Sequence, residues 1–350
     1  PQHRFFDELG ADDKERQVLP GFYHDTLGEK ERHLAVEKVR AFVLNQFSSS
    51  TVLPLFKKAD QPNFTAEEAA AIAAPLPRFS FKRFYWSSVR FSLRVGGWFS
   101  KGIWLGHKTG FDSGSTLDYV YENYAYGRTP LGRAIDRAYL DTIGWRGIRE
   151  RKIHIEHLLR DATEKLRGDG KPVRVLDIAA GHGRYILNAF ENAEDRPDYI
   201  CLRDYSERNV KAGAELIERS GLKDKARFVK GDAFDRDSIA ELSPRPTLGV
   251  VSGLYELFAN NDLVRRSLDG LSAAIEEGGY LIYTGQPWHP QLEFIGRALT
   301  SHRQGQPWVM RRRTQAELDQ LVAEAGFEKV DQWIDDWGIF SVSLARKIAA

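Results

Sequence analysis

From about residue 170 to its C-terminus the chain alternates short apolar runs with longer segments in which apolar residues recur every three or four positions. The runs VRVLDI, YICLRD, ARFVKG, TLGVVS, GYLIYTG, EKVDQWI and IFSVSLA predict strands near 173–178, 199–204, 226–231, 247–252, 279–285, 328–334 and 339–345. Helices fill most of the intervals. Such alternation predicts a mostly parallel sheet covered by helices on both faces. Thr314 and Glu317 have the spacing of a capping box that opens a helix ending near Ala325-Gly326. Only Asp335-Asp336-Trp337-Gly338 separate the last two strands, so that pair must be antiparallel.

Upstream, the period is helical. Residues 112–165 carry a tyrosine cluster at Tyr119, Tyr121, Tyr124 and Tyr126. Residues 78–111 hold seven Lys/Arg, ten aromatics and no acid, a basic amphipathic pattern. On a helical projection Phe81, Phe84, Phe91, Val95 and Trp98 share one face, and Arg83, Arg90, Arg94 and Lys101 the opposite one, with a break expected at Gly96-Gly97. The expected role of the aromatic face is packing on the neighbouring domain. The alternative is peripheral contact of residues 78–105 with an anionic membrane surface. Residues 48–77 read as a linker and a short Ala-rich helix ended by Pro75 and Pro77. Residues 1–47 read as strand, loop and helix. The expected divisions are therefore 1–47, 48–77, 78–165 and 166–350.

Composition narrows the class. The chain has 350 residues, 42% of them hydrophobic, with 50 Lys+Arg against 49 Asp+Glu. A net charge of +1 argues against nucleic acid as a partner recruited by global charge, though a local basic patch is compatible with it. The single cysteine, Cys201, excludes an intrachain disulfide and fits a reducing, cytoplasmic setting. No apolar run reaches membrane-spanning length and no signal peptide is visible. The only methionine is Met310, so either an initiator preceding Pro1 is removed or the chain is a segment of something longer. Scattered histidines and one cysteine supply no metal site.

Candidate chemistry concentrates at strand ends. The first strand ends on Asp177 and runs into Ala179, Ala180, Gly181 and Gly183, a small-residue loop before a helix. Backbone N–H groups of such a loop can approach an anionic ligand. The spacing is not that of a dinucleotide fold, because Ile186 stands where a third glycine belongs. The second strand ends on Asp204 and the third on Asp232, so three acids gather at one sheet edge, where open α/β sheets bind ligands.

With the stretches LDIAAGHGRY, LRDYSERNV, GDAFD, SGLYELF, YTGQPWHPQLE, SHRQGQPWVMRRRTQ and WGIFSVSLA, residues from about 170 to 346 resemble a class I methyltransferase dependent on S-adenosylmethionine (SAM). The resemblance is to the methyltransferase half of bacterial bifunctional α/β-hydrolase/methyltransferase proteins. It implies an α/β, Rossmann-like sheet, mostly parallel with its last strand antiparallel, under a helical N-terminal lid. It implies SAM held by Asp177, Ala179, Gly181, Gly183, Asp204, Tyr205, Asp232, Ala233 and Ser252. Asp204 would take the ribose hydroxyls and Asp232 the adenine amino group, with the Gly loop facing the methionine end. Ala179 stands where many members carry glycine, and a small residue suffices there if φ is negative.

Acceptor-side residues should follow the fourth and fifth strands. Tyr255, Glu256 and His289 are the candidate catalytic residues, with Glu256 and His289 unranked as base. Tyr121, Tyr124, Gln286, Trp288 and Arg312 are the candidate substrate-binding residues. Arg311-Arg312-Arg313 reads either as a solvated run or as an anion clamp helped by His302 and Arg303. The Asp/Asn-Pro-Pro-Tyr signature of DNA N6-methylases is absent, which argues against a nucleic-acid base as acceptor, and the hydrolase resemblance with the basic aromatic segment 78–111 points to a small or lipid-like one. The stretch PGFYHDTLGE resembles the catalytic-histidine segment of a monoglyceride-lipase-like hydrolase, with His24 in that place. No G-x-S-x-G elbow accompanies it. The alternative function is a SAM-binding, membrane-associated regulatory module of a lipid hydrolase.

Overall fold

The computed structural model describes residues 2–11, 13–48, 56–61, 63–192 and 196–348, which divide into two units, 1–54 and 55–350. The first unit holds helices α1 (Gln2–Glu8) and α2 (Arg32–Ser48). The strand expected ahead of His24 does not form. No neighbouring strand stands among the described residues of that unit to take its N–H and C=O groups. His24 is exposed.

In the second unit the seven expected strands all form: β1 (Arg174–Asp177), β2 (Tyr199–Asp204), β3 (Ala226–Lys230), β4 (Leu248–Val251), β5 (Tyr280–Gly285), β6 (Phe327–Ile334) and β7 (Ser341–Lys347). Their order is β3-β2-β1-β4-β5-β7-β6, and β7 alone runs against its neighbours. The short connection at 335–338 forces that reversal. This is the Rossmann-like sheet, mostly parallel with a reversed strand, that the resemblance implies. Successive strand residues point to opposite faces. Val175, Tyr280 and Ile282 pack with α8 (Ile143–Gly168), α9 (Arg184–Ala189) and α10 (Glu207–Arg219). Leu176, Leu281 and Tyr283 pack on the other side with α11 (Arg236–Ala240), α12 (Asn261–Ala274) and α14 (Gln315–Glu324).

A helical cap lies over the C-terminal ends of the strands. It comprises α3 (Phe64–Ala73), α4 (Phe81–Phe99), α5 (Lys101–Thr109), α6 (Gly114–Glu122), α7 (Pro130–Leu140) and α13 (Leu292–Ala298). It has its own core around Phe111, Leu140, Trp145, Leu299 and Trp308. Helix α4 passes through Gly96-Gly97 without a break, since an interior glycine costs only about 1 kcal/mol. The bend falls at Ser100, whose Oγ accepts from the Ile103 N–H at 3.0 Å and caps α5. The aromatic face of α4 does not pack inward: Phe81, Phe84, Phe91 and Trp98 are 84, 70, 67 and 78% exposed. The buried side is Trp86 and Gly97 instead.

The arginine run is neither solvated nor an anion clamp. Arg311 and Arg313 are buried with Glu317. Arg311 Nη2 donates to Glu317 Oε1 (2.5 Å) and to Asn261 Oδ1 (2.8 Å), and Arg313 Nε donates to the same Asn261 oxygen (2.8 Å). Arg312 turns the other way and pairs with Glu68 at 2.6 Å. Thr314 Oγ1 does accept from the Glu317 N–H at 3.2 Å, but the Glu317 carboxylate is committed to the arginines, so half of the capping box is made. Removing one partner of a buried pair strands a charge. We therefore expect Glu317→Gln to lower unfolding free energy by about 3–5 kcal/mol and Arg312→Met by about 1 kcal/mol or less, as measured by urea titration.

Candidate functional site

Loop geometry places the first half of the site. Gly183 has φ +75°, and a Cβ there would meet Leu202 Cδ1 at 2.4 Å, so only glycine fits between β1 and β2. Gly181 (φ +60°) lies against the start of α6, where a Cβ on it would stand 3.3 Å from the Gly114 Cα. Ala179 is not among the described residues with positive φ, which is why alanine is tolerated. Four of the loop N–H groups are bonded within the chain. Ala179 N–H goes to Asp177 Oδ1 (3.3 Å), Ala180 to the Arg203 carbonyl (2.9 Å), Gly181 to Asp204 Oδ2 (3.0 Å) and Gly183 to the Ala180 carbonyl (2.7 Å). Those four N–H groups are thus already committed within the chain.

That cleft, about 990 Å³, is lined by Ala179, Gly181, Gly183, Asp204, Tyr205, Asp232, Ala233 and Ser252. Asp177 is not in its wall. It is buried beneath the loop, where Tyr185 Oη donates to its Oδ2 at 2.5 Å. Burial pushes its pKa up to about 7. Asp204 accepts from the N–H groups of Ser206 (2.8 Å) and Gly181 and from Asn209 Nδ2 (3.0 Å). Three of its roughly four acceptor sites are used, leaving one toward the cleft. Burial raises its pKa as well. Asp232 Oδ1 accepts from the Phe234 N–H at 2.9 Å. Ser252 Oγ is buried and has no partner among the described residues. Free acceptors at Asp204 and Asp232, an orphan hydroxyl at Ser252 and the Phe234–Phe258 pair (ring centroids 4.6 Å apart) fit a nucleoside with a ribose diol, an amino-bearing base and a polar tail.

The cap is latched over this cleft. Arg184 Nε and Nη2 donate to both Asp118 oxygens on α6 (2.6 and 2.8 Å). Burial opposes ionisation of Asp118, but those bonds and His182 bring its pKa down to about 2. Asp112 accepts from Ser301 Oγ and from the His302 N–H, both at 2.6 Å. The hydrogen bond to Asp112 raises the His302 pKa.

A second cavity, about 300 Å³ and mostly apolar, adjoins the cleft. The two share Asp112, Leu117, Arg151, Gly253 and Leu257. Glu256, Gln286 and His289 line the apolar cavity, and Tyr121 lines the cleft. Arg151 Nη1 lies 3.6 Å from Glu256 Oε1. Burial raises the Glu256 pKa, with Arg151 opposing, and lowers that of His289 to about 4. Four expected site residues lie elsewhere. Tyr255 points into the core and donates to Ser267 Oγ at 3.0 Å, because neighbours on a 3₁₀ turn (Tyr255–Leu257) face different sides. Tyr124 is exposed and rests on Tyr126 (4.6 Å). Trp288 is half-exposed and lines neither space. Arg312 is held by Glu68. The sequence reading missed Arg151, which looks like any charge on α8, and the Asp112–His302 latch, whose members are 190 positions apart.

Residues 39–347 match the family described as "Putative methyltransferase". The chain belongs to this methyltransferase family. It is 49% identical over 346 residues to the Escherichia coli K12 "Uncharacterized protein YnbC", spanning 99% of this chain and 59% of that one. The chain thus spans well under two thirds of that relative's length. The bovine "tRNA N(3)-cytidine methyltransferase METTL2" is 26% identical over 188 residues, 51% of this chain and 48% of its own. A Bordetella parapertussis crystal structure described as a "possible exported protein" superposes with TM-score 0.60 at 17% identity, covering 81% of this chain and 97% of that one, which shows a shared fold. The cleft fits SAM, the cofactor that the sequence resemblance implies.

The acid under the loop makes a testable pH slope. Its unfolded pKa is about 3.9. Between there and about 7 the folded chain holds a proton that the unfolded chain has lost, so this contribution is full below pH 4 and lost as pH rises through 7. Asp177→Asn should gain on wild type between pH 4 and 8, by up to about 4 kcal/mol, in paired thermal melts.

Proposed function

We propose that the chain transfers the methyl group of SAM to a small or lipid-like acceptor seated in the 300 Å³ cavity. The observation that carries this is the junction: a polar nucleoside-sized cleft opens onto an apolar chamber across five shared residues. Bound SAM supplies a methyl already activated on a sulfonium. Asp204, Asp232 and Ser252 hold the nucleoside, Asp177 fixes the loop from beneath, and the latch through Asp112 and Arg184 keeps water out. Arg151 supplies positive charge at the junction. The lining of the chamber, rich in Ile148, Ile295, Leu299 and Met310, suits a hydrocarbon body rather than a nucleic-acid base with its phosphates.

Titration calorimetry with SAM and S-adenosylhomocysteine tests this. Micromolar binding that Asp204→Ala weakens by about tenfold or more is expected. No binding to folded chain overturns it.

The reading extends to where the acceptor comes from. Leu93 of α4 and Ile103 of α5 line the chamber from inside, while Phe84, Phe91 and Trp98 face outward. Lys101 and Lys108 flank Trp104 at 4.3 and 4.8 Å from its ring. An aromatic, cationic face of this kind suits the surface of an anionic bilayer. No helix of the described residues is long and apolar enough to cross one. The single buried thiol, Cys201, supports placing the chain at the cytoplasmic side. Phosphatidylglycerol vesicles should sediment the chain and phosphatidylcholine vesicles should not, and F84S/F91S/W98S should abolish the difference. Equal behaviour with both lipids sinks this extension. Residues 1–47 we read as the end of an α/β-hydrolase, on the strength of PGFYHDTLGE, and assign them no part in methyl transfer.

A further inference from the structure

Resting on that reading, we infer that the chamber selects an ionisable hydroxyl on an apolar, ring-bearing acceptor, with Glu256 receiving its proton and His289 donating a hydrogen bond to its oxygen.

Two candidate bases line the chamber, and geometry separates them. The Gln291 N–H donates to His289 Nδ1 at 3.0 Å, so Nδ1 is the acceptor of the ring and the proton sits on Nε2. Nε2 has no partner in the chain among the described residues. A neutral imidazole fixed in this tautomer offers an N–H to the chamber and has no lone pair left for a proton. Gln286 adds a second donor: its Nε2 is buried with no partner among the described residues. The complement is Glu256, whose carboxylate, among the described residues, has its ion pair with Arg151 at 3.6 Å. Two neutral donors and one carboxylate match a hydroxyl, which both accepts and donates. A carboxylate ligand would instead face Glu256 charge to charge.

The remaining walls set the body. Trp145 and Trp308 lie 6.1 Å apart with planes 24° from parallel, and Phe294 and Phe340 complete an aromatic lining. In the reaction the O–H bond breaks and its proton passes to a Glu256 oxygen. The acceptor oxygen keeps the electron pair and bonds the methyl carbon, whose bond to sulfur breaks toward sulfur. Glu256 then releases the proton to water.

The test needs no methyl donor. Binding of 2-naphthol, 2-methoxynaphthalene and 2-naphthoate to the full chain is measured by fluorescence titration. The hydroxyl should bind about tenfold tighter than its methyl ether, a comparison made within the wild type. Glu256→Gln and His289→Ala should erase that preference while leaving the ether within about twofold. Tightest binding of 2-naphthoate, lost in Arg151→Met and kept in Glu256→Gln, would overturn the assignment. So would failure to distinguish or to bind the three probes. S-adenosylhomocysteine titrated into the same samples separates the levels. Retained nucleoside binding leaves methyl transfer standing while the hydroxyl assignment falls.

Discussion

The acceptor side of this protein hangs on one buried cluster. Arg311, Arg313, Glu317 and Asn261 lie in the core where ions are costly, so each donor must be matched. The matching is done largely by backbone. Arg313 donates to the carbonyls of Tyr255 and Phe258, Arg311 to that of Ala259, and the Arg311 N–H to the Glu256 carbonyl at 3.0 Å. These are the carbonyls of the turn after β4. A segment with a single 3₁₀ turn for regular structure is thereby pinned, and with it the side chain of Glu256. Asn261 also donates to the Lys57 carbonyl at 3.1 Å, so the same cluster ties the start of the unit to the sheet.

The donor side rests on a different arrangement. Where a phosphate-binding loop leaves its N–H groups free, this loop closes those of Ala179, Ala180, Gly181 and Gly183 on Asp177, Asp204 and neighbouring carbonyls. The acids at the strand ends thus act twice. Asp204 fixes the loop through Gly181 and keeps one acceptor site for a ligand. Asp177 commits one oxygen to the loop and the other to Tyr185.

How far the sequence revealed this follows from which forces are local. Strand positions, the reversed last strand and the acid at the end of β2 are written in short-range patterning, and all are found in place. The aromatic face of α4 runs against expectation because periodicity shows that residues share a face without showing which way it points. Arg311-Arg312-Arg313 does so for a related reason. Alternation sends the outer two inward and the middle one outward, but the acceptors that make burial tolerable lie about fifty residues away, on the turn after β4. Tyr255 and Glu256 are neighbours in sequence and face different spaces. Only the three-residue helical turn, invisible in the pattern SGLYELF, decides which of them reaches the chamber.

The same locality argument bears on the latch. Asp112 sits between α5 and α6, and His302 follows α13. Closing a loop of this length costs little more entropy than closing one half as long, so distant residues can form a clasp without great penalty. What the clasp must supply is exclusion of water, because hydrocarbon walls and a neutral His289 keep their character only in a dry chamber. A carboxylate such as Glu256 is a stronger proton acceptor there than in water, since desolvation disfavours its charged form. Arg151 keeps that form accessible from 3.6 Å, too far for a full hydrogen bond and close enough to oppose the penalty.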